Sequence, residues 1–488
     1  MKKLLLLLLL PFVGLSQSQY GFGLEFDDEG YEDIPVKTRS FAFQSEVVEP
    51  DTVSLKEYAP EIRNQGGYGT CVGWATAYYA QSIIRAKEKE ITDKAKITDN
   101  AFSPLFLYVN AKNNTDPYCK EGIGIPSALS KMKEIGSPLY KDFSVRCATE
   151  IPDSVYQKAK QYRLKEYTKL FGLKEQFRVR IRETRKALMN GNPVLMGMDI
   201  SNAFLSANVV YEPDSISVGG HAMTIIGYDD NKFGGGAFEV INSWGEDWGN
   251  EGFMWIRYKD FAESVRYGFE LVFEEVPQED IVVKNTLEAG LELTEFGYPL
   301  EVRRKGGGGQ GYQTTVYDKD GLGMADYETK KKHEKGTTYR IKTSISQPAY
   351  VYVFGADTKR PVNRLFPVND SISAFVNAKD VYVMIPEKKP DGRQGRIKLD
   401  TDDVQSDYTI AIVSLEKLNM EEIKQKVDAM QGPVTDRFYE VLKDKLIARS
   451  DLSLSDENMG FKAEFEKGSA AILAVDIRRS DYKEPKDE

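Results

Sequence analysis

Apolar positions along this chain fall into three regimes. Residues Leu4 to Leu15 form an unbroken apolar run behind Lys2-Lys3, with small residues at Gly14 and Ser16. The run is shorter than the roughly 20 residues a membrane span needs, and it has the parts of a secretory signal peptide, residues 1–16. Residues 17–46 show no sustained period. Glycine, aromatic and acidic residues mix there, as in Tyr20-Gly21-Phe22-Gly23 and Asp27-Asp28-Glu29, and the stretch reads as an extended lead-in. A short pro-segment laid across the rest of the protein and a disordered spacer both fit that pattern.

From Val47 the spacing becomes helical. Helices are expected over residues 71–89, from Ser103 with Pro104 at the first helical position, from Pro126 to Ile135 closed by Gly136, and from Gln176 to Met189. Residues 150–172 are polar and tyrosine-rich and read as a link between two halves. Strands follow at 194–200, 221–228 and 237–243, the last two joined by a hairpin tip at 229–236. Helices first and antiparallel strands second predict a two-lobed α+β domain over residues 47–275.

After residue 276 the pattern changes again. Residues 276–335 are polar and charged and read as a linker region. Gly306-Gly307-Gly308-Gly309 lacks a following Gly-Lys-Ser/Thr, so it reads as a flexible loop, not a phosphate cradle. Short strands at 339–345, 349–354, 381–385 and 408–413 predict a sandwich-like, β-rich accessory domain over 336–430. Asn419 caps an expected helix at 420–430. A second helix at 433–448 and a strand at 470–477 make a C-terminal extension, 431–488.

Composition narrows the function. The 488 residues fit two or three domains, and 41% hydrophobic content is enough to bury proper cores. A net charge of −10 argues against nucleic acid as a main partner. No stretch after the first is apolar enough to span a membrane, so the expectation is an exported protein, periplasmic or extracellular. Three cysteines leave one over after pairing. If Cys71 is reserved for chemistry, Cys119 and Cys147 either pair or remain free and buried. His333, in Lys330-Lys331-Lys332-His333, has no metal-ligand neighbours, and neither a metal nor another cofactor is expected.

The chemistry-bearing residues lie in two stretches. Cys71 follows the glycine-rich turn Gln65-Gly66-Gly67-Tyr68-Gly69-Thr70 and opens an apolar helix, where free N–H groups and the helix dipole favour a thiolate. His221 lies in the strand-like Gly219-Gly220-His221-Ala222-Met223-Thr224, and Asn242-Ser243-Trp244-Gly245 follows. Attack on a peptide carbonyl needs an ionised nucleophile, a proton shuttle, a group to orient that shuttle and donors for the oxyanion. Cys71, His221 and Asn242 meet the first three needs. The Gln65 side-chain amide and the Cys71 backbone N–H are candidates for the fourth.

These residues resemble the papain family of cysteine peptidases. Asn64 to Cys71 is similar to the family's oxyanion-glutamine and nucleophile stretch, His221 to Tyr228 to its histidine strand, and Asn242 to Phe253 to its asparagine-tryptophan segment. His221 and Asn242 lie about 150 and about 170 residues after Cys71, against roughly 130–150 for such enzymes. The resemblance covers residues 47–275. It implies a cleft between a helical and a β-rich lobe, a peptide or protein substrate, and a Trp244 that shields the His221–Asn242 contact. It also likens the segment from Cys119 to Gly124 to the wall of the cleft, and Cys147 to a later disulfide partner. Tyr68 stands where the family has a second cysteine, Val72 where an aromatic residue follows the nucleophile, and Gly220 where Asp or Asn precedes the histidine. The lead-in is far shorter than the family's inhibitory propeptide.

Two other functions use the same residues. One is a catalytically silent protein of this type that binds peptides or cell-surface material; the other is an acyltransferase or amidase on non-protein amides. The segments Tyr350 to Phe354, Asn363 to Pro367 and Val381 to Pro386 resemble a small domain of unknown function appended to bacterial peptidases, which names no partner.

Overall fold

The computed structural model describes residues 20–42, 49–214, 217–274, 284–305, 325–357, 359–386 and 395–482. The signal peptide and the Gly306–Gly309 loop expected from the sequence lie outside the described residues. Among the described residues, no helix is long and apolar enough to cross a membrane. The chain forms two compact units, one of residues 1–32 and 50–276, the other of residues 33–49 and 277–488.

The first unit has a helical part and a sheet. Its central helix opens at Cys71, continues through Trp74–Gln81 and ends with Ser82–Glu88. Every residue from Cys71 to Ala86 is buried, so this helix is a core element. The helix Pro104–Ala111 starts as its sequence demands: Ser103 Oγ accepts from Phe106 N–H at 3.1 Å, and Pro104 needs no donor there. The sheet runs Leu164–Lys169, Val265–Phe273, Val194–Ser201, Ser217–Asp229, Ala237–Ile241, Phe253–Arg257 and Val210–Tyr211. All pairs are antiparallel except the last. This is the papain-like α+β fold, and a β-rich C-terminal region follows it.

Residues 150–172 are not merely a link. They form the helix Asp153–Ala159 and the edge strand Leu164–Lys169. The strand was hidden because its buried positions include charged side chains, Glu166 and Lys169, each held by an ion pair, to Lys133 and Glu32.

The second unit is a sandwich of two sheets. One contains Val381–Ile385, Thr338–Ile345, Asn285–Glu295 and Met459–Phe465; the other contains Tyr327–Thr329, Ala470–Arg478, Ser406–Ser414 and Ala349–Asp357. Leu287, Leu291, Ile341 and Val383 from the first share one core with Val351, Val353, Ala411 and Val475 from the second. Two boundaries expected from the sequence are therefore corrected. Asn285–Glu295, in the expected linker, is paired on both sides and carries four core side chains. Met459–Phe465 and Ala470–Arg478, in the expected extension, are interior strands of the sandwich. Glu288, Glu292 and Lys462 on the outer faces made these segments look like polar connection, although the period-2 alternation was present. The helix expected at 433–448 is shorter, Val434–Leu442.

Leu293 is fully buried in this supposed linker. Leu293→Ala is expected to destabilise the second unit by about 2–5 kcal/mol, read as a lowered urea midpoint; a change below about 0.5 kcal/mol would contradict the assignment.

Candidate active site

The residues singled out from the sequence come together in the first unit. Arg63 to Gln65 runs beside Ser243 to Gly245: Gln65 N–H donates to Ser243 O at 2.7 Å, and Gly245 N–H to Arg63 O at 3.3 Å. This backbone pairing joins the loop before Cys71 to the loop after the Ala237–Ile241 strand. Thr224 Oγ1 donates to Ala75 O at 2.8 Å and ties the histidine strand to the cysteine helix. As a result the backbone of Ala222, the residue after His221, acts on the Cys71 thiol and favours its ionised form.

The orientation of His221 follows from one backbone donor. His221 Nε2 lies 2.8 Å from Asn242 Oδ1. Ser243 N–H also donates to that atom, at 2.8 Å, and an N–H can only meet an acceptor, so the atom is the amide oxygen. Nε2 must therefore carry the ring proton. Nδ1 is left with its lone pair and makes no hydrogen bond. The Trp244 ring lies 4.6 Å from the His221 ring, and Phe204 meets both.

Gln65 is fixed from the opposite end. Its Oε1 accepts from Ser243 Oγ at 2.6 Å, so its Nε2 is turned the other way. Ser243 thus positions Gln65 with its hydroxyl and Asn242 with its N–H. Sequence reasoning missed it, although it stands inside the Asn-Ser-Trp motif. Cys119 and Cys147 pair as a disulfide, and Cys71 is free. Among the described residues, no group of three His, Cys, Asp or Glu is set to hold a metal ion.

The lead-in runs through this site, packed against it from residue 20 to residue 32. Tyr20 stacks on Trp244 at 4.4 Å, and Phe22 meets the same ring edge-on. Gly21 O accepts from Gln65 Nε2 at 3.0 Å, so the side-chain donor expected to face an oxyanion already faces this carbonyl. The Gly23 backbone acts on the Cys71 thiol and favours its ionised form. A Cβ on Gly21 or Gly23 would overlap the Tyr68 or Gly69 carbonyl, so only glycine lets the segment lie this close. Leu24 pairs with Ile123 and Gly220, and its side chain packs where a Cβ on Gly197 would be 2.7 Å away.

Beyond Leu24 the lead-in is stapled by charge and burial. Asp28 accepts from Arg266 Nε at 2.9 Å and from Tyr267 OH at 2.7 Å. Tyr31, fully buried, donates to Phe171 O at 2.6 Å, and Glu32 accepts from Lys169 Nζ at 2.8 Å and Leu173 N–H at 2.8 Å.

Sealing the site reverses the expected ionisation. Burial pushes the Cys71 thiol up to about 12, although four backbone N–H groups pull the other way. Burial also lowers His221 to about 4, against a smaller opposing effect of Asn242. Both shifts favour the neutral form, where the sequence predicted a stabilised thiolate. The cause is that each is fully buried.

An α+β domain of papain-like fold that brings a cysteine, an oriented histidine, an asparagine and a glutamine together has the residue types of a thiol hydrolase. Residues 49–267 match the family model of the papain family cysteine proteases, and this part of the chain is a papain-like cysteine peptidase domain. An uncharacterised peptidase C1-like protein of Acanthamoeba polyphaga mimivirus is 28% identical over 231 residues, 43% of this chain and 68% of that protein. The cathepsin B-like CP3 of Giardia intestinalis is 26% identical over 218 residues, 42% of this chain and 68% of its own. Among solved structures, xylellain, a cysteine protease from Xylella fastidiosa, is similar at a TM-score of 0.41 and 21% identity, covering 52% of this chain and 96% of that one. A procathepsin B from Trypanosoma congolense is similar at 0.41 and 16%, covering 52% and 87%.

Docking of the lead-in is expected to be acid-sensitive. The Arg266 hydrogen bond holds Asp28 below its ordinary 3.8. Burial would raise Glu32, but hydrogen bonds from Lys169 and Leu173 prevail and hold it below 4.5. The docked state therefore binds fewer protons than the free segment, and docking is strongest above about pH 4.5 and weakens as pH falls through 4 and below. Hydrogen exchange at residues 20–32, corrected for intrinsic rate, should accelerate between pH 5 and 3. Arg266→Ala should flatten that dependence, and protection unchanged over this range would contradict it.

Proposed function

We propose that this protein is an exported cysteine peptidase that folds in a latent form, with residues 20–32 closing its cleft. Cys71 is the nucleophile, His221 the proton shuttle, Asn242 the group that orients it, and Gln65 an oxyanion donor. The observation that carries this reading is the Ser243 N–H bond to Asn242 Oδ1. It assigns the proton to Nε2 and leaves the His221 Nδ1 lone pair free to take the thiol proton. A protein that merely bound peptides would have no use for that tautomer. Export is supported by the apolar run before Ser16 and by the Cys119–Cys147 disulfide, which suits an oxidising compartment.

With the lead-in withdrawn, water reaches the cleft and burial no longer opposes charge. The four backbone N–H groups minus that of Gly23 then favour the thiolate, and the proton passes to Nδ1. The sulfur adds to the substrate carbonyl carbon, and the oxygen becomes an anion facing Gln65 Nε2 and the Cys71 N–H. The C–N bond breaks as the imidazolium protonates the leaving amine. Water, deprotonated by the neutral imidazole, then cleaves the thioester and restores the thiol. Trp244 and Phe204 keep water from the His221–Asn242 bond throughout.

The test uses the full chain with Gly23→Val and Tyr31→Ala, which unseat the lead-in. An epoxysuccinyl peptide should modify Cys71 at least tenfold faster than in the unaltered chain, and Cys71→Ala should abolish the modification. In the same background Gln65→Ala should lower kcat on a peptide substrate by about 10²–10³. Absence of modification from pH 5 to 8, in protein shown by circular dichroism to be folded, would sink the reading.

A further inference from the structure

The lead-in does not end in the cleft. Residues 33–49 belong to the second unit, where the chain makes an isolated bridge at Val36 and a short strand at Phe41–Ala42. Val36 N–H donates to Ser371 O at 2.8 Å, and Ser373 N–H donates back to Val36 O at 2.9 Å. Ile34 and Thr38 are buried, and the Thr38 hydroxyl donates to Ser373 O. Phe41 and Ala42 then pair antiparallel with Tyr382 and Val381, the Phe41 ring stacking on Tyr382 at 5.5 Å. The strand Val381–Ile385 has Thr338–Ile345 on its other side, so Phe41–Ala42 covers what would be a bare sheet edge.

We propose that the second unit is a receptor for the lead-in: the edge of Val381–Ile385 and the Ser371–Ser373 segment retain residues 34–42 by strand addition after the chain has been cut. This rests on the latent reading above and adds to it what holds the latch. Nine residues, 34–42, with backbone pairing at positions 36, 41 and 42 and buried side chains at 34 and 38, form an anchor distinct from the contacts at 20–32. A segment held at two places by one partner leaves only when both let go, so each anchor raises the effective concentration of the other. Hydrolysis between residues 42 and 49 would therefore not switch the peptidase on. Activation requires either a second cut, between the two anchors, or displacement of the strand from the second unit's edge. The accessory unit so acquires a role, setting how long a nicked molecule stays latent.

To test this, a recognition sequence for a site-specific protease is inserted between Gln44 and Ser45 of the full chain, and the purified protein is cut completely. Two quantities are followed: co-elution of the lead-in fragment with the remainder on gel filtration, and labelling of Cys71 by the epoxysuccinyl probe. The cut wild type should keep its fragment and label slowly. Val36→Pro with Phe41→Ser, which removes one donor and the stacked ring, should release the fragment at least tenfold faster and label correspondingly faster. Thr38→Val, which keeps the shape and removes only the hydroxyl, should lie between. Equal release from wild type and Val36→Pro/Phe41→Ser, or complete loss from the wild type during elution, would overturn the proposal. If the fragment is retained and labelling is just as fast with it as without it, the anchor stands and the latent reading falls.

Discussion

Exclusion of water from one sulfur and one imidazole governs the chemistry of this protein, and two glycines make that exclusion possible. Gly21 and Gly23 bring the lead-in backbone against Tyr68 and Gly69 so closely that no side chain fits between. Tyr20, Phe22 and Leu24 alternate with them and grip Trp244 and the Gly197 surface. Cys71 and His221 are left without solvent, and burial favours the neutral form of each. Desolvation here outweighs several favourable hydrogen bonds, because the cost of a buried charge exceeds what a few N–H donors return.

On the latent reading proposed above, exposure alone would restore the same site. Nothing in the His221–Asn242 pair needs to rotate, since the Ser243 N–H already fixes the amide. Gln65 is held by the Ser243 hydroxyl and by Tyr68 O as well as by Gly21 O, so loss of the lead-in removes one of its partners and not its orientation. A single residue, Ser243, therefore aligns two candidate side chains from opposite sides, supported by the backbone pairing of residues 63–65 with 243–245. Preorganisation of this kind is what makes electrostatic stabilisation of a transition state effective.

Much of the candidate site was legible in the chain. Cys71, His221, Asn242 and Gln65 were found because each lies in a short segment whose residue types are dictated by local chemistry. Ser243 was not, because its role is spatial: a hydroxyl is ordinary until the loop pairing brings Gln65 to it. The strand Asn285–Glu295 was passed over for a related reason. Its alternation of leucine and charge is the mark of a half-buried strand, yet its partners, Thr338–Ile345 and Met459–Phe465, lie about 50 and about 170 residues away. Strands joined over such distances look like isolated polar stretches until the sheet is assembled.

By itself the sequence determined the two-lobed α+β class, the candidate nucleophile and candidate partners, and the presence of a β-rich region, since these depend on period, capping and residue type. Only the tertiary structure decided which way the imidazole faces, that burial shifts Cys71 and His221 toward their neutral forms, and that residues 20–32 pack in the first unit and 34–42 in the second. Ionisation and accessibility belong to what surrounds a group, and here that surround comes from residues remote in the chain. Tyr20-Gly21-Phe22-Gly23 reads as formless in one dimension because its period is matched to a cleft, not to a helix or strand of its own.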